Sequence, residues 1–279
     1  MPVSDKLKAL VAEMPDPDKR GMYTTDIDQE KIERAVAEIA RGGRENVLGL
    51  VEMLVPPGEG DDVKAHYALH CVGNHALKTK DREARRQFAE VLAAELGGSR
   101  PKGVQAYLCQ ELQWAGGKEC VASLGKLLTD EELVEPAAMA LVAIGDGAAE
   151  QFRAALPKVK GKCLLNVIHS LAALADPQSA DIFREALGAP DREVRIAAGA
   201  GLAKLGDPAS ADLLLKAADK AEGWERIQGT KHSLVLAEKL AAAGKKDAAA
   251  AIYRRLRDTR TAPNEKYLRD AAEKALAAG

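Results

Sequence analysis

A spacing of small and apolar residues recurs along the chain with a period of about 30 residues, and this repeat restricts the fold more than any other feature. Asp207 lies 31 positions after Asp176, Asp176 lies 30 after Asp146, and Asp146 lies 29 after Gly117. Each of these four residues comes just after a segment with leucine and alanine at helical spacing. Periods of roughly 20 to 50 residues are typical of stacked supersecondary units, so the sequence predicts a repeat protein.

The copy from Pro190 to Pro208 shows the inside of one repeat most clearly. Its small and apolar residues fall on one helical face, at positions i, i+3, i+4, i+7, i+8 and i+11: Val194, Ala197, Ala198, Gly201, Leu202 and Leu205. Asp191 is placed to cap this helix, and Gly206-Asp207-Pro208 ends it. A second apolar stripe then follows, formed by Ala211, Leu214 and Ala218. One repeat is therefore predicted to be a hairpin of a helix A and a helix B.

Composition points to the same architecture. The 279 residues are 47% hydrophobic but only 4% aromatic, and an alanine-rich, aromatic-poor chain favours close helix stacking over sheets. We therefore predict an all-α fold, a right-handed α-solenoid of stacked helical hairpins that forms a single domain over residues 1–279.

The predicted domain has three parts along the chain. Residues 1–25 form a leader that we expect to dock loosely, and residues 26–218 hold about six hairpins. After Ala218 the pattern is interrupted by Gly223 and Gly229, and a longer helix is expected from about Lys231 to Ala243. Residues 219–279 are predicted to hold one further hairpin and a C-terminal cap with a polar outer face.

The consensus copy carries a family resemblance. From Asp191 to Asp207 it reads Asp-x-x-Val-Arg-x-x-Ala-x-x-x-Leu-x-x-Leu-Gly-Asp, which resembles the HEAT-like repeats of phycobilisome-lyase-type proteins and of many other bacterial proteins. Near the C-terminus, one stretch is similar to a tetratricopeptide hairpin, through Leu236, Leu240, Gly244, Ala249 and Tyr253. Proteins with HEAT-like repeats include lyases, hydroxylases, DNA-repair enzymes and scaffolds, so the resemblance implies a shape rather than one activity.

Charge and cysteine usage limit the partners and the compartment. A formal net charge of −2 and a pI near 6.3 argue against a nucleic-acid or anionic-membrane partner. No apolar run approaches the ~18 residues of a membrane span, and no signal peptide is evident. Four cysteines without any Cys-x-x-Cys pair fit buried thiols in a reducing compartment: Cys71, Cys109, Cys120 and Cys163. We expect a cytoplasmic protein by default. The alternative is an exported protein whose signal peptide has been removed.

A metal site is the first chemical alternative. His66 and His70 are spaced i, i+4 in one predicted helix, with His75 close behind, and this spacing can bring imidazoles to one metal ion. The ligand set is incomplete, because no motif such as His-Glu-x-x-His accompanies it. The alternative is that these are polar histidines on an exposed helical face.

Enzymatic alternatives have weaker support in the sequence. The di-iron hydroxylases with HEAT-like repeats use repeated His-Glu pairs, and none of the five histidines here is followed by glutamate. A DNA-repair enzyme of this class implies a basic groove with aromatic residues, whereas Trp114 and Trp224 are expected to be packing residues. A lyase-like activity would require binding of a linear tetrapyrrole. We identify no catalytic constellation and predict no cofactor.

One pattern in the repeats points to a binding surface. A basic residue precedes the last anchor of helix B in four consecutive repeats: Lys126, Arg153, Arg184 and Lys216. On a concave helix-B face these side chains would offer spaced donors to an acidic partner, while Glu52 and Glu90 would make the start of that face acidic. The alternative is a solvated charged face. The sequence thus favours a non-enzymatic scaffold that binds a partner protein or peptide on the concave helix-B face.

Overall fold

The structure is a computed structural model that describes residues 2–20, 22–23 and 27–278. Within those residues it contains sixteen α-helices, short 3₁₀ turns and no strand. The chain divides into two compact units, residues 1–158 and residues 159–279. None of the helices in the described ranges has the length and apolar character needed to cross a membrane.

In its described residues, the first unit holds nine helices. Their bounds are α1 Asp5–Ala12, α2 Gln29–Arg41, α3 Gly43–Glu52, α4 Val63–Lys78, α5 Arg82–Ala94, α6 Lys102–Ala115, α7 Val121–Gly125, α8 Val134–Ile144 and α9 Ala148–Ala155. Helices α2 to α9 form four successive hairpins. The A helices α2, α4, α6 and α8 pack side by side, and so do the B helices α3, α5, α7 and α9.

The second unit continues the hairpin pattern. Its helices are α10 Gly161–Leu174, α11 Ala180–Ala186, α12 Arg192–Leu205, α13 Ala211–Lys220, α14 Gly223–Ala242, α15 Lys246–Thr259 and α16 Lys266–Ala278. Helix α12 packs between α10 and α14, and α14, α15 and α16 pack in succession. Since hairpins stack in chain order within each unit, the prediction of an all-α solenoid of helical hairpins is confirmed.

Helix α12 shows why the consensus copy folds as it does. The Asp191 side chain accepts a hydrogen bond from the Glu193 amide, which caps the helix. At the other end, Gly206 has a φ of +70°, a conformation that glycine adopts without strain. The apolar face between them is buried. A Cβ on Gly201 would lie only 2.7 Å from the Phe183 ring, so glycine lets α11 approach α12 closely.

The expectation of a loosely docked leader was wrong. Helix α1 packs against α2 and α4, and its apolar side chains Leu7 and Val11 are buried. A Cβ on Gly49 would lie 2.5 Å from Leu7 Cδ2, so the absence of a side chain there makes room for Leu7. The ion pair between Lys6 and Glu38 adds a polar contact. The predicted boundary between residues 25 and 26 lies outside the described residues.

The long helix after α13 begins earlier than its sequence pattern indicated. Helix α14 starts at Gly223, eight residues before the expected start at Lys231, and it runs through Gly229. A Cβ on Gly229 would lie 3.0 Å from the Ala218 Cβ. Gly229 is therefore a close contact between α13 and α14 rather than a break in the helix.

A buried ionic network connects the last helices of the second unit. The Arg260 side chain is 0% exposed and donates from Nη1 to Asp219 Oδ1 at 2.6 Å and from Nε to Thr230 Oγ1 at 2.9 Å. Arg226 donates to Glu265, which is also buried and lies 3.9 Å from Arg260. These contacts link the C-terminal segment to α13 and α14.

Candidate functional site

The basic residues predicted on the helix-B face of the first unit differ in exposure. Lys126 begins a short 3₁₀ turn after α7 and is exposed. Arg153, in α9, is only 20% exposed, and its guanidinium lies 3.6 Å from Glu150 of the same helix. Lys126 is therefore the side chain with more freedom to contact a partner.

A groove between α7 and α9 contains Lys126. It has a volume of about 430 Å³ and is lined mainly by small and polar residues: Ala122, Gly125, Lys126, Thr129, Gln151, Ala154, Ala155 and Lys158. None of these lining residues carries a carboxylate. A Cβ on Gly125 would lie 2.2 Å from Gln151 Oε1, so the glycine allows Gln151 to lie across α7. The result is a shallow groove with two exposed lysines, Lys126 and Lys158.

In the second unit, the two predicted basic residues have different surroundings. Arg184, in α11, donates to Asp181 at 2.6 Å and to Asp207 at 3.1 Å, and Asp207 belongs to the turn of the next hairpin. Its charge is thus balanced by two carboxylates, and it links neighbouring hairpins. Lys216, in α13, is exposed. A shared role for these residues with Lys126 and Arg153 stays a prediction.

The acidic residues expected at the start of the helix-B face are neutralised by arginines. Arg100 donates to Glu52 at 2.6 Å. Arg44 donates to Glu90 at 2.7 Å, and Arg86 makes a second ion pair with Glu90. Because every one of these carboxylates has a cationic partner, this part of the face is less acidic than the sequence alone suggests.

The three histidines of the predicted metal site lie in α4, and the first of them has a partner one turn away. His66 Nε2 lies 3.0 Å from Asp62 Oδ2, one turn earlier. The Tyr107 ring stands edge-on to the His66 ring with 4.0 Å between centroids, and its hydroxyl donates to the His66 carbonyl at 2.8 Å. His66 therefore takes part in the contact between α4 and α6.

His70 makes a different contact with α6. Its Nδ1 lies 3.1 and 3.2 Å from the two carboxylate oxygens of Glu111, a residue that is almost fully buried. The hydrogen bond to Glu111 raises the pKa of His70, and partial burial opposes that rise. The pair explains why a glutamate interrupts the apolar stripe of α6, since the buried carboxylate has an imidazole partner.

His75 lies apart from these contacts, along a groove between α2 and α4. The groove has a volume of about 970 Å³ and also contains Tyr67 and Cys71. Within the ranges that the structure describes, no three or more His, Cys, Asp or Glu side chains are placed to hold one metal ion. His66, His70 and His75 thus do not form the shared ligand set that their spacing suggested.

The cysteines are placed as small buried residues. Cys109, Cys120 and Cys163 are buried and Cys71 is partly buried, and among the described residues these four form no disulfide. Burial raises the pKa of Cys109 to about 12 and that of Cys120 to about 11. These two thiols are protonated near neutral pH, which makes them poor nucleophiles.

The tryptophans are not packing residues, contrary to the expectation from the sequence. Trp114, near the end of α6, is 68% exposed, and Trp224, in the first turn of α14, is 54% exposed. The sequence placed both correctly near helix ends, but it could not show which side of the helix faces a neighbour.

Two residues that matter here were missed by the sequence reasoning. Lys158 follows α9 in a 3₁₀ turn and lies outside the register used to align the helix B segments, yet it lines the same groove as Lys126. Glu111 was noticed only as an interruption of an apolar stripe. Such an interruption was a usable signal, because a buried carboxylate requires a partner.

A family match and one similar solved structure agree with the helical-repeat fold. A family model described as HEAT repeats matches residues 161–235. No curated protein matches the chain. An engineered protein solved by the Northeast Structural Genomics Consortium is 20% identical with a TM-score of 0.50, over 97% of this chain and 77% of that chain. The complex of CpcE and CpcF of phycocyanin lyase from Nostoc sp. PCC7120 is 16% identical with a TM-score of 0.35, over 100% of this chain and 97% of that chain.

Proposed function

We propose that the chain is a non-enzymatic scaffold that binds an acidic segment of a partner protein on its helix-B face. The match of residues 161–235 to HEAT repeats supports this, because stacked helical repeats offer extended binding surfaces. The observation that carries this proposal is the groove between α7 and α9. Two exposed lysines, Lys126 and Lys158, line it without any carboxylate among the lining residues.

The chemistry of this groove suits an extended acidic peptide. Ala122, Ala154 and Ala155 leave room for a backbone to lie close to the helices, and Gln151 can donate and accept hydrogen bonds. Lysine ammonium groups at the rim attract carboxylates and accelerate association, and this effect weakens as salt screens the charges.

The four residues of the predicted basic ladder have unequal roles in this proposal. Lys126 is a direct contact in the groove, and the exposed Lys216 is a second contact in the other unit. Arg153 and Arg184 mainly stabilise helix B through their ion pairs with Glu150, Asp181 and Asp207.

The proposal can be tested with a displayed library of random peptides selected on the full chain. We expect enrichment of peptides rich in Asp and Glu, with an affinity that falls as ionic strength rises. Binding of one selected peptide, measured by fluorescence anisotropy, should be lost in the double variant Lys126→Glu/Lys158→Glu.

A matched control reverses the same number of charges elsewhere. Lys31 in α2 and Lys246 in α15 are exposed, so Lys31→Glu/Lys246→Glu changes the net charge equally and leaves the groove intact. This control should bind the peptide as tightly as the unmodified protein. Equal loss in both double variants would show only a dependence on net charge, and enrichment of neutral or basic peptides would contradict the acidic partner.

A further inference from the structure

A small cavity lies between α12, α13 and α14, entirely within the second unit. Its volume is about 240 Å³. Its walls include Ile196, Leu214 and Ala217, together with Gly199, Gly229 and His232. The walls are mostly apolar, and α14 contributes two polar side chains, His232 and the ion-paired Glu225.

Two glycines allow these helices to pack closely around the ring of His232. A Cβ on Gly199 would lie 2.8 Å from His232 Nδ1, so any larger residue in α12 would push the ring aside. A Cβ on Gly229 would lie 3.0 Å from the Ala218 Cβ, so this glycine brings α14 close to α13. The helix contacts thus fix the imidazole at the wall of the cavity.

The imidazole of His232 is neutral and available. Burial, together with a smaller effect of the nearby Lys231, lowers the pKa of His232 to about 4, so the ring carries no charge near neutral pH. In the part of the chain that the structure describes, no hydrogen bond reaches either ring nitrogen. A neutral imidazole offers one donor and one acceptor.

Three charged side chains line the cavity, and two of them, Arg195 and Glu225, neutralise each other. Arg195 donates to both oxygens of Glu225, from Nε at 2.6 Å and from Nη2 at 2.7 Å. Lys220 is exposed at the edge, where water solvates its ammonium group. A charged ligand would gain no unpaired, buried counter-ion among these three side chains.

We propose that this cavity binds a small neutral aromatic molecule with one ring and one hydroxyl or N–H group. Its volume exceeds the ~150 Å³ of an engineered apolar cavity that binds benzene. The apolar walls would hold the ring, and the hydroxyl or N–H group would bond to His232. This binding is separate from the proposed partner groove, which lies in the other unit.

The test uses fluorine NMR on the full chain, with para-fluorophenol, fluorobenzene and para-fluorobenzoate as probes. We expect saturable binding of para-fluorophenol about fivefold tighter than that of fluorobenzene, because one hydrogen bond is gained. The benzoate should bind more weakly than the phenol. His232→Phe should make the affinities for the phenol and fluorobenzene equal.

A cavity-filling variant, Ala217→Leu, should abolish binding of both neutral probes. Ala143 is exposed in α8 of the other unit, so Ala143→Leu adds the same atoms outside the cavity and should bind as the unmodified protein does. Circular dichroism verifies that each variant is folded. The absence of saturable phenol binding to the unmodified protein overturns the proposal, as does tighter binding of the benzoate or an unchanged phenol preference in His232→Phe.

Discussion

In the buried network around Arg260, we expect removal of Asp219 to destabilise the protein more than removal of Arg260 itself. In Arg260→Met, Asp219 keeps Arg255 at 3.0 Å and Glu265 keeps Arg226 at 2.6 Å, while the methionine side chain fills most of the vacated volume. In Asp219→Ala, by contrast, the fully buried Arg260 keeps only Glu265, at 3.9 Å, as a charged partner in the network.

The magnitudes follow from what each substitution leaves behind. Arg260→Met removes hydrogen bonds to a charged group but strands no buried charge, so we expect a loss of about 1–3 kcal/mol in the free energy of unfolding. Asp219→Ala leaves a buried guanidinium without its close partner, and breaking a buried ion pair in this way costs about 3–5 kcal/mol. Arg260 Nη2 already has no partner within the described residues, so the guanidinium keeps only the neutral hydroxyls of Thr230 and Thr259 as hydrogen-bond partners.

Urea unfolding followed by far-ultraviolet circular dichroism measures both values. The dependence of the free energy on urea should be the same for the two variants, so the difference appears as a shift in midpoint. If Arg260→Met destabilises the protein as much as Asp219→Ala, the reasoning about stranded charge is wrong.

Three further predictions concern the repeats. Leu202→Ala should lower the free energy of unfolding by about 2–5 kcal/mol, since Leu202 is fully buried, and a loss below about 1 kcal/mol in urea unfolding would contradict that packing. Arg184→Glu should lower the melting temperature more than Lys216→Glu, because it places a third carboxylate beside Asp181 and Asp207; equal melting temperatures would contradict this. Because the pKa of His70 is raised in the folded protein, its contact with Glu111 stabilises the fold fully below pH 6.5, the ordinary pKa of histidine, and less as the pH rises through the higher folded value. The difference in free energy of unfolding between the unmodified protein and His70→Gln should therefore shrink at alkaline pH. A difference that does not change with pH would refute this prediction.

The helices could be predicted because their signals are local. The apolar spacing of the consensus copy, with Asp191 before it and Gly206 after it, placed α12 at Arg192–Leu205 without knowledge of any other part of the chain. The hairpin that follows was visible for the same reason. Periodicity at 3.6 residues is a property of one segment, and so is a capping residue.

The roles of charged side chains could not be predicted in this way. Arg184 was found by its position in the repeat, but its exposure depends on Asp207, which lies 23 positions later. His70 and Glu111 are separated by 41 positions and meet only because α4 packs beside α6. Whether such a residue is free to bind a partner is decided by the neighbouring hairpin, which a single repeat does not contain.

A glycine in a helical repeat protein can either weaken a helix or allow two helices to pack closely. The sequence reasoning treated Gly229 as an interruption, because glycine weakens an isolated helix. In the stacked hairpins, Gly201 and Gly229 instead permit contacts of helix on helix that a Cβ would prevent. Gly199 has a different effect, because it leaves space for the His232 ring beside the cavity. A glycine on the packed face of a repeat helix is therefore better interpreted as a point of close approach.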